Sequence, residues 1–412
     1  MYKLKTILFL FLAGISMLLV SCKLNEENLA EKAAGIHDQV LTVDTHCDTP
    51  MRLLRSDYNP GDKHDPRQGG GKVDFQRMKE GGLDAMFFAV FIGQDERTEE
   101  GNERAKKLAF KIFDAIEKAV KDNQDIAQIA TSPEDAYKIQ DEGKRAIFIG
   151  IENGYPVGND LSLIEKFYEK GARYITLCHT SNNDICDSST DSEGPEHNGL
   201  SDFGINVVKE MNRLGLMVDV SHISDSAFYD VIEISTTPVI ASHSCARALC
   251  DNPRNLTDDM LRVLADNEGV IQMCFLSEYL KTPEPFPERD SARFALREKY
   301  KNFQNLSEAE MDSARNEWYA IDRKFPPKLA TVADMVDHID HVVELVGIDH
   351  IGIGTDFDGG GGLKDCFDVS EMGNVTLELV KRGYNSKEIE KIWSGNLMRV
   401  FRKVRDIAEK ES

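Results

Sequence analysis

The stretch Val43-Asp44-Thr45-His46-Cys47-Asp48-Thr49 decides how this chain is read. It continues the apolar run Val40-Leu41-Thr42-Val43 and therefore has the look of a buried strand reaching its carboxyl end. Residues at i and i+2 of a strand point to the same side, so His46 and Asp48 can reach one point together. An imidazole nitrogen beside a carboxylate oxygen suits a zinc-like cation. Alone, the pair is equally compatible with a surface histidine next to a helix-capping aspartate. Repetition separates the two readings, because a His, Glu or Asp stands at the carboxyl end of most of the strand-like runs that follow.

Those runs are residues 84–91, 146–151, 174–178, 216–220, 238–241, 269–275 and 350–354. The third of the eight ends in Glu152-Asn153-Gly154, the fourth in His179, the fifth in Ser221-His222 and the sixth in Ser242-His243. The eighth ends in Thr355-Asp356-Phe357-Asp358-Gly359. Helical segments lie between them. Leu108, Ile112, Ile116 and Val120 mark one face of a helix over about 102–122. Ser132-Pro133-Glu134-Asp135 is a helix start, with a cap, a proline at the first position and acids in the first turn. A helix over 203–213 and another running from the cap Thr257 to about 265 follow. Eight strands alternating with helices predict an α/β fold of the (β/α)8 TIM-barrel type, whose catalytic groups sit at the carboxyl ends of the strands. An open doubly wound sheet is the alternative. No G-x-G-x-x-G turn opens a helix after the first strand, which weighs against it.

The termini and the charge add context. Lys3 and Lys5 precede an apolar stretch over 7–20 that closes in Leu19-Val20-Ser21-Cys22. This reads as a signal peptide over 1–21, too short for a spanning helix, with a lipobox-like ending that makes Cys22 a lipidated N-terminus. An ordinary secretory cleavage site or an uncleaved anchor would also fit. A polar tether over 22–35 would then lead to a domain over 36–405. The net charge is −22, about −24 without the leader, and such a surface repels nucleic acid and anionic head groups. Of eight cysteines, Cys22 is used by the lipid. The remaining seven are irregularly spaced and do not form a disulfide framework. Cys47, Cys178 and Cys274 fall in strand-like runs and are expected to be buried; Cys47 and Cys245 are conceivable nucleophiles with no evident base.

Residues 277–328 break the rhythm between the seventh and eighth strands. They contain Thr282-Pro283-Glu284-Pro285-Phe286-Pro287 and a charged helical stretch in which Ser307 and Glu310 have capping-box spacing. Thr331 with Asp334 begins the next helix. A solvated helical excursion and a cap over the barrel mouth both fit this insertion.

Together the strand ends offer His46, Asp48, Glu152, His179, His222, His243 and Asp356. Imidazoles plus shared carboxylates are what a two-zinc site needs: one carboxylate can bridge two cations with a hydroxide between them. His64, His197, His338 and His341 lie away from strand ends and read as surface residues.

The chain resembles the membrane (renal) dipeptidase family, the M19 metallopeptidases of the amidohydrolase-like barrels. The resemblance is carried by Val43 to Asp48, Gly150-Ile151-Glu152-Asn153-Gly154, Tyr174-Ile175-Thr176-Leu177-Cys178-His179-Thr180 and Gly199-Leu200-Ser201-Asp202-Phe203-Gly204. It continues through Val218-Asp219-Val220-Ser221-His222, Ser242-His243-Ser244, Arg254-Asn255, Gly354-Thr355-Asp356-Phe357-Asp358-Gly359 and Gly395-Asn396-Leu397-Met398-Arg399-Val400-Phe401. It implies two zinc ions, one on His46 and Asp48, the other on His222 and His243, with Glu152 bridging. It further implies that His179 polarises the scissile carbonyl, that Arg254 pairs with the substrate carboxylate and that Asp356 shuttles the proton. Asp358 is the neighbour with which Asp356 could be confused. The insertion is longer than the family pattern suggests, and Cys250 stands at a disulfide position of mammalian members without an evident partner.

The implied function is a zinc-dependent dipeptidase acting on small dipeptides, L,L and L,D, through a metal-bridged hydroxide. It would be lipid-anchored in a bacterial cell envelope, without nucleic-acid partners and with a homodimer left open. The rivals are an N-acyl amino acid deacylase on the same barrel and a non-catalytic zinc- or substrate-binding lipoprotein. A proton shuttle at Asp356 argues against the binder.

Overall fold

The computed structural model describes residues 26–55, 58–300, 306 and 308–411. The expected signal peptide over 1–21, Cys22 and Ser307 lie outside the described residues. In chain order the strands are β1 (Val43–Cys47), β2 (Ala85–Phe91), β3 (Ala127–Ile129), β4 (Arg145–Glu152), β5 (Ala172–Thr176), β6 (Met217–Asp219), β7 (Ile240–Ser244), β8 (Val270–Met273) and β9 (Ile351–Ile353). Eight of them pair in parallel in the order β1-β2-β4-β5-β6-β7-β8-β9, while β3 pairs only with β4, off this path. These eight are the expected strands of a (β/α)8 barrel. β4 is buried along its whole length, as a parallel strand covered on both faces must be, which is why it reads as a continuous apolar run.

The barrel interior is filled from its amino-terminal end. Phe87, Phe148, Tyr174, Met217, Ile240 and Val270 point inward and pack on Leu397, Met398 and Phe401 of the last helix, Asn396–Glu411. The Phe87 and Phe148 rings lie 4.6 Å apart, and Phe401 meets Phe148 edge-on at 5.9 Å. A second, larger core lies between the strands and the surrounding helices. The helices start where their caps dictate: Ser132 with Asp135 and Thr331 with Asp334 form reciprocal capping boxes.

The seam between β9 and β1 closes in a different way. The two strands share no ladder of their own, and the residues just beyond them are stitched instead. Asp48 N–H donates to the Phe357 carbonyl at 2.8 Å, and Asp356 N–H donates to the His46 carbonyl at 3.1 Å. Beneath these bonds the fully buried Asp44 accepts the Thr355 N–H at 2.8 Å, the Thr355 hydroxyl at 2.5 Å and the His46 N–H at 3.2 Å.

Three expectations need correction. Residues 26–37 are helical, and Ala33 and Ile36 are buried in the outer core. The second half of the expected tether is thus part of the fold, because its apolar residues find a surface to cover. At the other end the last helix runs to Glu411 rather than stopping at 405. His338 is not a surface residue: it is buried, its Nε2 lies 3.0 Å from the Leu280 carbonyl, and its Nδ1 accepts the Ala246 N–H at 3.1 Å.

The insertion is a helical hairpin, Pro287–Lys299 and Glu308–Lys324, with its own small core of Leu296, Tyr300 and Ala314. Tyr319 of its second helix lies within electrostatic reach of Arg52, just after β1, so the hairpin borders the carboxyl-end rim of the barrel.

The seam generates a stability prediction. Thr355→Val keeps the shape but removes the hydroxyl donated to Asp44. Loss of a hydrogen bond to a buried carboxylate costs about 1.5–3 kcal/mol. The urea midpoint should fall accordingly with an unchanged slope; a midpoint equal to the parent's would show that Asp44 does not hold the seam.

Candidate metal centre

Barrel strands deliver side chains to one mouth because every strand runs the same way. His46 comes from β1 and Asp48 from the residue after its end; Glu152 is the last residue of β4; His243 lies in β7. His222 follows β6 with a left-handed backbone, φ 73°. His179 follows β5. The structure brings all of them together. Glu152 stands in the middle, its Oε2 lying 3.4 Å from His46 Nε2. Its Oε1 lies 3.1 Å from His222 Nε2, 3.5 Å from His243 Nε2 and 3.7 Å from His179 Nε2. Asp48 Oδ2 is 3.6 Å from His46 Nε2. The two Nε2 atoms of His222 and His243 are 2.9 Å apart.

These residues fit a cation. His46 Nε2 and Asp48 Oδ1 are buried with no hydrogen-bond partner, a costly state unless something else engages them. Three overlapping sets have donor atoms close enough to share an ion: His46, Glu152 and His243; Glu152, His179 and His222; and His46, Asp48 and Asp356. The electrostatics agree. Burial, then Glu152, pushes the Asp48 carboxyl up, and burial, then Asp48, pushes Asp356 well up. Burial holds His222 and His243 well below the ordinary imidazole value, with Arg254 adding to the effect on His222 and His46 on His243. At His179, His222 and His243 the site therefore combines neutral imidazoles with carboxylates that repel one another, a set that a divalent ion relieves.

Asp356 and Asp358 part company here. Both have left-handed backbones, φ 58° and 67°. Asp356 joins the cluster. Asp358 turns away to take the Thr49 hydroxyl at 2.8 Å, the Lys72 N–H at 3.0 Å and Arg52 at 3.1 Å. The glycines after it are spatial necessities. A Cβ on Gly359 would fall 2.1 Å from both Asp356 Oδ1 and Asp48 Oδ2.

Arg254 is buried and has no acidic partner among the described residues. Its Nη2 donates to the His243 carbonyl at 3.1 Å, its Nη1 lies 3.4 Å from Ser244 Oγ, and its Nε has no partner. The guanidinium carbon sits 5.2 Å from the centre of the Tyr279 ring. Asp258 and Asp259, a few residues further along the chain, engage His341 and Arg262 instead. Burial, then Arg254, brings His179 down to about 4, so this imidazole is neutral at ordinary pH and free to donate a hydrogen bond. Its ring meets Phe91 edge-on at 4.9 Å. Neither Cys47 nor Cys245 competes for the nucleophile's role: burial raises Cys47 well above its ordinary value and Cys245 to about 12.

The sequence profile of the membrane dipeptidases (peptidase family M19) matches residues 30–412. The chain belongs to the membrane dipeptidase family. Dipeptidase tcpJ of Claviceps purpurea is 32% identical over 366 residues, 87% of this chain and 76% of that protein. Among solved structures, the probable dipeptidase PvdM of Pseudomonas aeruginosa aligns with a TM-score of 0.80 at 31% identity, over 92% of this chain and 99% of its own. A metallopeptidase of Rhodobacter sphaeroides, liganded with a phosphinate mimic of L-Ala-D-Ala, shares the fold with a TM-score of 0.70 at 20% identity, over 89% of this chain and 99% of its own. M19 membrane dipeptidases are metal-dependent hydrolases, and the cluster around Glu152 is where this one has donors for metal.

Sequence reasoning missed several groups in this dipeptidase. Tyr279 was hidden inside the insertion. Tyr174 lies within an apolar run yet has its hydroxyl 2.8 Å from His46 Nδ1. Asp219 was passed over as one residue of a strand. A hint existed at Gly150: a glycine inside a strand often marks a close approach, here by the Tyr174 ring.

Gly359→Ala should displace Asp48 and Asp356 together while leaving the outer core untouched. The expected result is a folded protein with weakened metal retention and turnover reduced at least tenfold. Parental metal content and turnover in the alanine variant would mean that the turn relaxes without disturbing the carboxylates.

Proposed function

We propose that this membrane dipeptidase works with two zinc ions and cleaves the amide bond of small L,L- and L,D-dipeptides. The observation that carries the reading is the Glu152 carboxylate, with one oxygen facing His46 and the other facing His222 and His243. In this reading His46 and Asp48 would hold one ion and His222 and His243 the other, with Glu152 available to both. When bound, the ions supply Lewis acidity, lowering the pKa of a water and polarising a carbonyl.

The chain's own residues then divide the remaining work. Arg254, buried and without a carboxylate partner, clamps the substrate's terminal carboxylate. His179, neutral, donates a hydrogen bond to the carbonyl oxygen as negative charge develops there. Asp356 accepts the proton of the attacking water and delivers it to the amine as the carbon–nitrogen bond breaks. Acceptance of a D-residue at the carboxyl side draws support from the Rhodobacter fold neighbour with its L-Ala-D-Ala mimic. An acyl amino acid would satisfy the same clamp, so the substrate screen must include both classes.

We further propose that the leader is removed, that Cys22 carries the lipid and that the enzyme is tethered in a bacterial envelope, on the strength of the sequence over 1–22. Mass spectrometry of the mature N-terminus should find an acylated cysteine; an unmodified terminus at another residue would end that proposal.

The catalytic reading is tested by metal content and by two substitutions. The parent should hold two zinc ions and lose activity to a strong chelator. Asp356→Asn should retain the ions and lose about 10²–10⁴-fold in kcat, the range of general acid–base help. Arg254→Met should lose about 2–5 kcal/mol of transition-state binding on free dipeptides. It should lose far less on dipeptide amides, which have no carboxylate to hold. Equal proportional losses on both substrates would remove the clamp, and preference for acyl amino acids over dipeptides would replace the dipeptidase assignment for the substrate.

A further inference from the structure

An imidazole lends its Nε2 lone pair to a cation only when its proton sits on Nδ1, and the partner of Nδ1 decides where the proton sits. Two of the four histidines in this centre have such a partner directly beneath them. A phenol has one proton to give. The Tyr174 oxygen lies 3.2 Å from the Thr45 carbonyl, which can only accept, and 2.8 Å from His46 Nδ1. With the phenol proton given to Thr45, the phenol oxygen accepts from His46 Nδ1–H. That leaves the bare Nε2 of His46 aimed at Glu152.

His243 repeats the arrangement with different chemistry. Ser242 Oγ lies 2.6 Å from Asp219 Oδ2 and 2.8 Å from His243 Nδ1. Asp219 is fully buried and also takes the Ser242 N–H at 2.8 Å, the Ser221 N–H at 3.0 Å and the Thr176 hydroxyl at 2.5 Å. The serine proton goes to the carboxylate, so the serine oxygen accepts from His243 Nδ1–H. His222 makes the contrast: its Nδ1 is buried and has no hydrogen-bond partner.

The Tyr174 arm needs room that only one neighbour can leave. Gly150 is paired with Tyr174 across β4 and β5. A Cβ at Gly150 would fall 2.1 Å from Tyr174 Cζ. The glycine lets the phenol cross beneath the metal centre and reach β1.

We propose that Tyr174 and the Ser242–Asp219 pair are positioning residues that hold His46 and His243 in the Nδ1–H form and thereby set the affinity of the centre for a divalent cation. Gly150 acts through Tyr174. This rests on the metal-centre reading above. Partners of this kind are typically worth about 10–100-fold in metal affinity.

The experiment is a competition titration of Zn2+ between a chromophoric chelator and the purified chain, for the parent, Tyr174→Phe, Gly150→Ala, Ser242→Ala and Ser242→Thr. Circular dichroism and melting of each variant establish that it is folded. Tyr174→Phe, Gly150→Ala and Ser242→Ala should each bind zinc about 10–100-fold more weakly, and Ser242→Thr should restore most of the loss. Parental affinity in folded Tyr174→Phe overturns the arm under His46, and parental affinity in folded Ser242→Ala overturns the arm under His243. Nitrogen-15 spectra of the zinc-loaded parent give a readout that needs no variant. Protons on Nδ1 of His46 and His243 support the proposal, and a proton on Nε2 of either sinks it for that residue. A parent that cannot compete with the chelator at all removes the metal centre itself, a failure distinct from variants that bind as the parent does.

Discussion

The contact on which this molecule depends is a carboxylate that water never reaches. Asp44 sits under the seam between β9 and β1, where two strands come together without a ladder of their own, and takes three hydrogen bonds from Thr355 and His46. Its acceptor oxygens do for this junction what backbone pairing does for the other seven. A junction made by side chains can be offset, and the residues just past it become the ones that pair: Asp48 with Phe357, and Asp356 with His46. Three of the groups that gather at the mouth, His46, Asp48 and Asp356, are thus fixed against each other by the act of closing the barrel. Fold and site are not separable at this edge.

Above the seam the problem is charge. Asp48, Glu152 and Asp356 are all buried, and burial together with the Glu152 charge raises the cost of ionising Asp48 and Asp356. Arg254 faces the same space from the β7 side and adds to burial in depressing His179 and His222. Acids on one flank and cation-averse imidazoles on the other make a polarised pocket that accepts positive charge low down and negative charge near Arg254. The membrane dipeptidase family to which the chain belongs acts on dipeptides.

Much of this was legible in the sequence, for a definite reason. A parallel strand buried on both faces reads as an apolar run, and the polar residue that ends it stands out. His46, Glu152, His179, His222, His243 and Asp356 were visible because each interrupts such a run at its carboxyl end. Tyr174, Asp219 and Ser242 were not visible as support, since a polar atom within or beside an apolar run has no sequence signature until its partner is known. His338 was misjudged because its partners, Leu280 and Ala246, lie 58 and 92 residues away. The start of the fold was placed late because the stretch before residue 36 is polar on average, while Leu29, Ala33 and Ile36 decide that it packs. Tyr279 was lost for a similar reason: the insertion was treated as one block, whereas its first turn, Ser277–Leu280, still belongs to the barrel rim.

The last helix has a meaning beyond packing. Leu397, Met398 and Phe401 cover the inner residues of strands that begin with β1 and end with β8, so the floor of the barrel is supplied by a segment that follows every strand in the chain. Until those residues leave the ribosome, the first strand has neither its neighbour β9 nor the surface beneath it. Pairings between the two ends of a long chain carry a large loop-closure cost and come late in folding. Nascent chains of every intermediate length are therefore incomplete barrels with apolar interiors open at one end. The barrel can close only once the segment over 396–411 has been made.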